Sequence, residues 1–287
     1  MSTQTDGSTT VRNISDTALW AAVFRARESE RPDALFRDPL ARRLAGERGE
    51  RIVREMKGGN KHPWSWVTRT WLFDRFIEQS VREGVDLVVN LAAGLDARPY
   101  RMELPASLRW VEVDLPDLLA YKDELLASEK PRCGLERVRL DLADVAKRRE
   151  LFERLGASAK KALVVSEGLL IYLSREEVVT LAEDLAAPPS FQRWIIDLVS
   201  PGLMRLLQKQ VGSELEKVGA PFKFAPPEGV AFFAAHGWPP LEVRGMLKTG
   251  AQIKRLPMLM RLFAMFPEPK GPPGDRPWGG VCLLEKK

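Results

Sequence analysis

Asn90-Leu91-Ala92-Ala93-Gly94-Leu95-Asp96-Ala97-Arg98 ends an apolar run that opens at Leu87, and the reading of this stretch decides the fold. Leu87-Val88-Val89-Asn90-Leu91 has the composition of a short buried strand. The small residues Ala92, Ala93 and Gly94 then let backbone approach a ligand closely, as a dinucleotide or nucleoside site requires. The stretch is not Gly-x-Gly-x-x-Gly and opens no glycine-rich phosphate cradle, so a pyrophosphate would find few free backbone donors here.

Further apolar runs follow with helical patterns between them: Trp110-Val111-Glu112-Val113-Asp114, Val138-Arg139-Leu140, Leu163-Val164-Val165 and Trp194-Ile195-Ile196-Asp197. Short buried strands alternating with helices predict an α/β fold, a parallel sheet covered on both faces. Leu241-Glu242-Val243 and Val281-Cys282-Leu283-Leu284 add strands six and seven. A sheet of this kind binds its ligand beyond the carboxyl ends of the strands, where the strand order reverses. Asp114 ends the second strand, 20 residues beyond Gly94, where a carboxylate accepts hydrogen bonds from ribose hydroxyls. Asp141-Leu142 ends the third with the carboxylate and apolar side chain that an adenine amine and ring need, and Ser166-Glu167-Gly168 ends the fourth. Singly, Gly94 could merely break a strand and Asp114 cap the helix opened by Pro116. Together, the four strand ends describe an adenosine ligand without a diphosphate.

The segment before the first strand reads as helices, Asp16 to Arg27, Asp38 to Glu47 and Trp64 to Arg82, with Trp64, Val67, Trp71 and Phe76 near one core-packed face. A helical insertion, Pro201 to Gly219, follows strand five, and Pro267 to Pro277, with five prolines and two glycines, is a loop. No internal repeat or long linker divides the chain. The expectation is one domain over 1–287: a helical N-terminal cap at 1–83, a ligand-binding core at 84–200, and a substrate-side insertion with the final strands at 201–287.

With 287 residues, 45% hydrophobic and 29% charged, the chain can bury a large core, which excludes disordered, collagen-like and disulfide-stapled classes. Cys133 and Cys282 form no Cys-x-x-Cys pair and only His62 and His236 offer imidazole, so no metal centre is expected and a reduced, cytoplasmic setting is. Met1 to Ser15 lacks the basic and apolar regions of a secretory signal, and no apolar run is long enough to span a membrane. The net charge of +5 comes from 44 basic and 39 acidic residues with both signs interspersed, so neither nucleic acid nor membrane is expected as a partner.

Leu91-Ala-Ala-Gly-Leu-Asp-Ala-Arg98, Glu112-Val-Asp-Leu-Pro116 with Lys122, Asp141-Leu142 and Ser166-Glu-Gly-Leu-Leu-Ile-Tyr-Leu173 closely resemble, in order and spacing, the leucine carboxyl methyltransferase family of S-adenosylmethionine-dependent methyltransferases, including its bacterial polyketide O-methyltransferase branch. The resemblance runs from Asp16 to Ser200. It implies the class I methyltransferase fold, a Rossmann-like seven-stranded sheet with helices on both faces, and S-adenosyl-L-methionine as cofactor. By the same resemblance Arg69 pairs with the methionine carboxylate, Gly94 lies beneath the methionine part, Asp114 holds the ribose, Asp141 and Leu142 contact adenine, and Glu167 sits near the cofactor's amino group. The family's further basic contact falls in Phe24-Arg25-Ala26-Arg27-Glu28-Ser29, with Arg27 preferred over Arg25. Ala92 stands where a glycine is common in the family and Ala97 where a threonine is; both are small. Outside the resemblance, Arg69 reads as a solvated helix charge, Lys122 as a surface residue and Tyr172 as a packed aromatic.

The implied reaction is O-methylation of a small hydrophobic metabolite, polyketide-like or otherwise secondary, at a carboxylate or hydroxyl. A carboxylate, with a pKa of about 4, is already ionised at neutral pH, whereas a phenol at about 10 benefits from a base. His62 and His236 fit helix ends better than catalysis, which tilts the reading toward a carboxylate. Tyr172 and Glu167, with Asp197, are the candidate catalytic or partner groups. The alternatives are a protein C-terminal carboxyl methyltransferase and, in another class, a nonenzymatic nucleoside-binding or assembly protein; a nicotinamide oxidoreductase is disfavoured by the missing phosphate glycines. The apolar side chains of 201–224 and the methionine-rich run Leu256 to Phe266 suit either a hydrophobic acceptor, helix packing or a homodimer face.

Overall fold

The computed structural model describes residues 16–56, 60, 62–217, 219–267 and 271–287. Met1 to Ser15 and positions 268–270 of the proline-rich loop lie outside the described residues. Seven strands form one sheet: β1 Leu87–Leu91, β2 Arg109–Asp114, β3 Gly134–Arg139, β4 Ala162–Ser166, β5 Phe191–Val199, β6 Pro240–Gly245 and β7 Gly279–Glu285. Their order is β3-β2-β1-β4-β5-β7-β6.

β1 to β5 are mutually parallel, but β7 runs antiparallel to both β5 and β6, which corrects the expectation of a parallel sheet. Apolar runs report burial on both faces, and burial does not depend on strand direction. The third strand also begins earlier than Val138. It is the sheet edge, its residues alternate between exposed and half-buried, and Glu136, Arg137 and Arg139 blunt it; no apolar run marks such a strand.

The sheet is apolar on both sides with a period of two. Val88, Trp110, Leu163, Val165 and Ile195 pack on Phe73, Phe76 and Ile77 of α3 (Pro63–Arg82). Val89, Val111, Val164, Trp194 and Ile196 meet Phe152 and Leu155 of α6 (Val145–Ala157), and Leu181 and Leu185 of α7 (Arg175–Ala186). Within α3, Trp64 and Trp71 are only half-buried, because the stripe facing the sheet runs through Phe73, Phe76 and Ile77. Trp71 packs at the margin of this cluster and also lies under the Arg75 guanidinium, 5.8 Å from its ring.

Two further N-terminal helices build a second cluster over the carboxyl edge: α1 (Asp16–Ser29) and α2 (Ala41–Glu55), joined by α5 (Pro116–Leu126). α2 is longer than expected because it continues through a break at Gly46, whose φ of 56° is the left-handed conformation glycine tolerates. α4 (Arg98–Arg101) is a single turn after β1. The insertion after β5 forms α8 (Pro201–Leu207), a π-helical turn at Gln208–Gly212 and α9 (Ser213–Lys217). The remaining helices are α10 (Ala231–Ala234), α11 (Met246–Gln252) and α12 (Met258–Ala264). No helix among the described residues is long and apolar enough to cross a membrane.

Candidate functional site

The strand order reverses between β1 and β4, and the crevice that this opens at their carboxyl ends becomes a cleft of about 590 Å³. Its floor is the turn after β1. Ala92 and Gly94 there both have left-handed backbone, at φ 50° and 52°. A side chain at Gly94 would bring a Cβ within 3.2 Å of the Ala18 Cβ on α1, so glycine keeps the cleft open where α1 crosses it.

Asp114 ties this turn to the end of β2. Its Oδ2 accepts from the Gly94 N–H at 2.6 Å and its Oδ1 from Leu115 N–H at 2.7 Å. Each oxygen retains an acceptor position. Burial raises the Asp114 pKa, against the lowering effect of those two donors. Leu142 and Asp141 form the rim beyond β3, where the exposed Asp141 holds the loop through Ala143 N–H at 2.9 Å.

The other end of the cleft is a network of charges. Glu167 lies between two guanidiniums, Arg69 Nε at 3.1 Å and Arg98 Nη2 at 2.8 Å. Arg98 is 2% exposed and also pairs with Asp74 and Asp96, each at 2.7 Å. Burial acts to lower the Arg98 pKa, but the carboxylates of Asp96, Glu167 and Asp74 override it and hold it well above its usual value. Arg69 lies 4.8 Å over the Trp66 ring and reaches Asp197 at 3.4 Å, while Asp197 also accepts from Gly168 N–H at 2.7 Å. Arg101 adds a second cation on Asp74 at 2.7 Å. Three guanidiniums (Arg69, Arg98, Arg101) thus share four carboxylates (Asp74, Asp96, Glu167, Asp197) in this network.

Arg69, Gly94, Asp114, Asp141, Leu142, Glu167 and Tyr172, all singled out from sequence, line this one cleft. Arg27 does not: it turns to Glu50 at 2.7 Å and Asn60 at 2.9 Å. Arg25 lines the cleft instead, held by Asp38 at 2.9 Å and by the Leu95 carbonyl. Tyr172 is hydrogen-bonded to Thr17 and packs against Phe222 at 5.7 Å; burial pushes its hydroxyl up to about 12. It therefore stays protonated at neutral pH. Lys122 is wholly buried and pairs with Glu112 at 2.8 Å, so it is no surface residue. His62 and His236 do not line the cleft; His236 faces Glu183 at 3.8 Å.

Sequence reasoning quoted Arg98 and Asp96 but gave them no role. The available signal was two opposite charges placed directly after an apolar strand, at the edge where ligands bind. Thr17 and Trp66, which close the cleft from α1 and α3, carried no sequence signal.

Residues 18–186 match the leucine carboxyl methyltransferase family model. Two relatives carry the name "Putative S-adenosyl-L-methionine-dependent methyltransferase". One, from Parafrankia sp. (strain EAN1pec), is 38% identical over 191 residues, 62% of this chain and 61% of the relative, so the match spans about three-fifths of that protein's length. The other, from Streptomyces coelicolor, is 33% identical over 238 residues, 77% of this chain and 82% of the relative. Among solved structures, a DUF574 family protein from Streptomyces avermitilis superposes with a TM-score of 0.58 at 13% identity, covering 94% of this chain and 97% of its own. That likeness is one of fold.

Proposed function

Because the chain belongs to the leucine carboxyl methyltransferase family, we propose that it transfers the methyl group of S-adenosyl-L-methionine to a carboxylate oxygen of a small hydrophobic metabolite. The observation that carries this reading is the convergence of four strand ends, Gly94, Asp114, Asp141-Leu142 and Glu167, on one cleft.

The residues fit the cofactor. Gly94 leaves the floor open, and Gly168, at φ 70°, turns the backbone beside the Arg69 guanidinium. Asp114 would hold the ribose hydroxyls, Leu142 and Asp141 the adenine, and Arg69 and Arg25 the methionine carboxylate through planar guanidinium geometry. Glu167, on the wall at that end of the cleft, suits the ammonium charge. When bound, the cofactor supplies an electrophilic methyl carbon for in-line displacement. The chain's own part is to fix two reactants and exclude water.

A carboxylate acceptor is the better match to these groups. Tyr172 is protonated at neutral pH and so takes no proton from a hydroxyl, and the Glu167 carboxylate is held by two guanidiniums. An ionised carboxylate needs no base. Trp66, Tyr172 and Leu173 give that end of the cleft an apolar wall.

Calorimetry with S-adenosylmethionine, S-adenosylhomocysteine and NAD tests the cofactor: binding of the two sulfur compounds is expected, and binding of NAD alone overturns the reading. Labelled methyl transfer into a metabolite extract then tests the acceptor. Label released by mild alkali identifies an ester. Alkali-stable label means an ether, and label confined to protein means a macromolecular acceptor; either result refutes the proposed acceptor.

A further inference from the structure

Among the described residues, the exposed large apolar side chains concentrate not in the cleft but on α12 and the two residues after it. Met258, Leu259, Leu262, Phe263, Met265 and Phe266 are 60–83% exposed, and no residue of α12 is buried. At about 100° per residue, these six side chains occupy one arc of roughly 160°. Met260 and Ala264, on the opposite side, are the half-buried ones. The helix therefore presents its apolar face outward.

Its base is firmly held. Arg255, just before α12, reaches Glu28 at 2.7 Å and Asp33 at 3.1 Å. α11 packs so tightly on α3 that a Cβ at Gly250 would meet Trp64 at 3.1 Å. The six side chains expose on the order of 800 Å², taking roughly 200 Å² for each large side chain. That exceeds the roughly 300–600 Å² of the largest patch on a typical monomer and equals the roughly 800 Å² per partner of a standard interface. The patch also has the composition of an interface core, aromatic and methionine-rich, with no charged residue on the arc.

We propose that a second copy of this chain covers α12, the two helices packing against each other across a two-fold axis with Leu262 at its centre. One self-complementary patch on each chain closes the assembly at two. A lipid surface fits less well. An interfacial helix sets lysines and arginines along the opposite face, whereas here that face holds Met260, Ala264 and a single Arg261, whose Nε donates to the Leu256 carbonyl at 3.1 Å.

The test uses the full chain. Sedimentation equilibrium at tens of micromolar should give twice the chain mass of 32.3 kDa, and Leu262→Asp should give the single mass with unchanged near-ultraviolet circular dichroism. Leu262→Cys should cross-link to itself under mild oxidation while Glu153→Cys, at an exposed position of α6, does not; the two native cysteines are buried and silent. A monomeric wild type, a dimer that survives Leu262→Asp, or no Leu262→Cys cross-link overturns the proposal. So does a monomer that co-sediments with phosphatidylcholine/phosphatidylglycerol vesicles.

Discussion

The turn after β1 places an alanine and a glycine, two positions apart, in the same left-handed backbone region, at φ 50° and 52°, so reciprocal substitutions should shift stability in opposite directions. For an L-residue with a Cβ that conformation costs about 1–2 kcal/mol. Ala92→Gly removes the cost but gives the unfolded chain about 0.4–1 kcal/mol of extra entropy, leaving a net gain of about 0.5–1 kcal/mol. Gly94→Ala incurs the strain, regains the same entropy, and sets a methyl 3.2 Å from the Ala18 Cβ, for a net loss of about 1–2 kcal/mol. It also presses on the turn whose N–H donates to Asp114, so cofactor affinity should fall with it. Urea unfolding followed by the fluorescence of the eight tryptophans should show the midpoint rising for Ala92→Gly and falling for Gly94→Ala at constant slope. Midpoints that move together, or a Gly94→Ala variant as stable as the parent, would refute the backbone argument.

Other expectations follow from the cleft. Asp114→Ala and Arg69→Ala should each weaken S-adenosylmethionine binding at least about tenfold, roughly 1.4 kcal/mol, by calorimetry; full affinity in a folded variant would remove that residue from the site. Asp74→Ala leaves Arg98 and Arg101 without their shared carboxylate and should cost about 3–5 kcal/mol of unfolding free energy. Arg101 and Arg98 hold the Asp74 pKa below its usual value against burial, so its stabilisation is present above the unfolded pKa of about 3.9 and lost as pH falls through the lower folded pKa; acid unfolding of Asp74→Asn should be correspondingly less steep there. Tyr172→Phe should leave cofactor affinity intact, and the pH–rate profile should show no tyrosine limb between about pH 6 and 9; a limb abolished by the substitution would make Tyr172 a base after all.

The sequence was most legible where burial alone determines structure. β1 lies inside the sheet between β2 and β4, every residue of it is buried, and its limits match the apolar run. β3 was blurred because an edge strand has no such run. The cofactor-side residues were readable because strand ends repeat at regular intervals and each places one side chain at the same edge. The choice between Arg25 and Arg27 was not, because α1 buries Leu19, Trp20, Ala22, Val23, Phe24 and Ala26 on most of its circumference. No single stripe then fixes its rotation, and two residues apart on a helix means opposite sides. Arg98 was passed over because a charge in a turn ordinarily faces water; only the tertiary fold brings Asp74, Asp96 and Glu167 around it.

All the residues that line the cleft fall between Thr17 and Leu181, nearly the same limits as the family match at 18–186. The last third of the chain, from α8 through β7, completes the sheet and lies at the edge of the cleft without forming its walls. Chain order thus separates the residues of the cleft wall from the part of the chain that closes the sheet. An exchange of the chain from α8 onward would therefore leave every residue of the cleft wall in place.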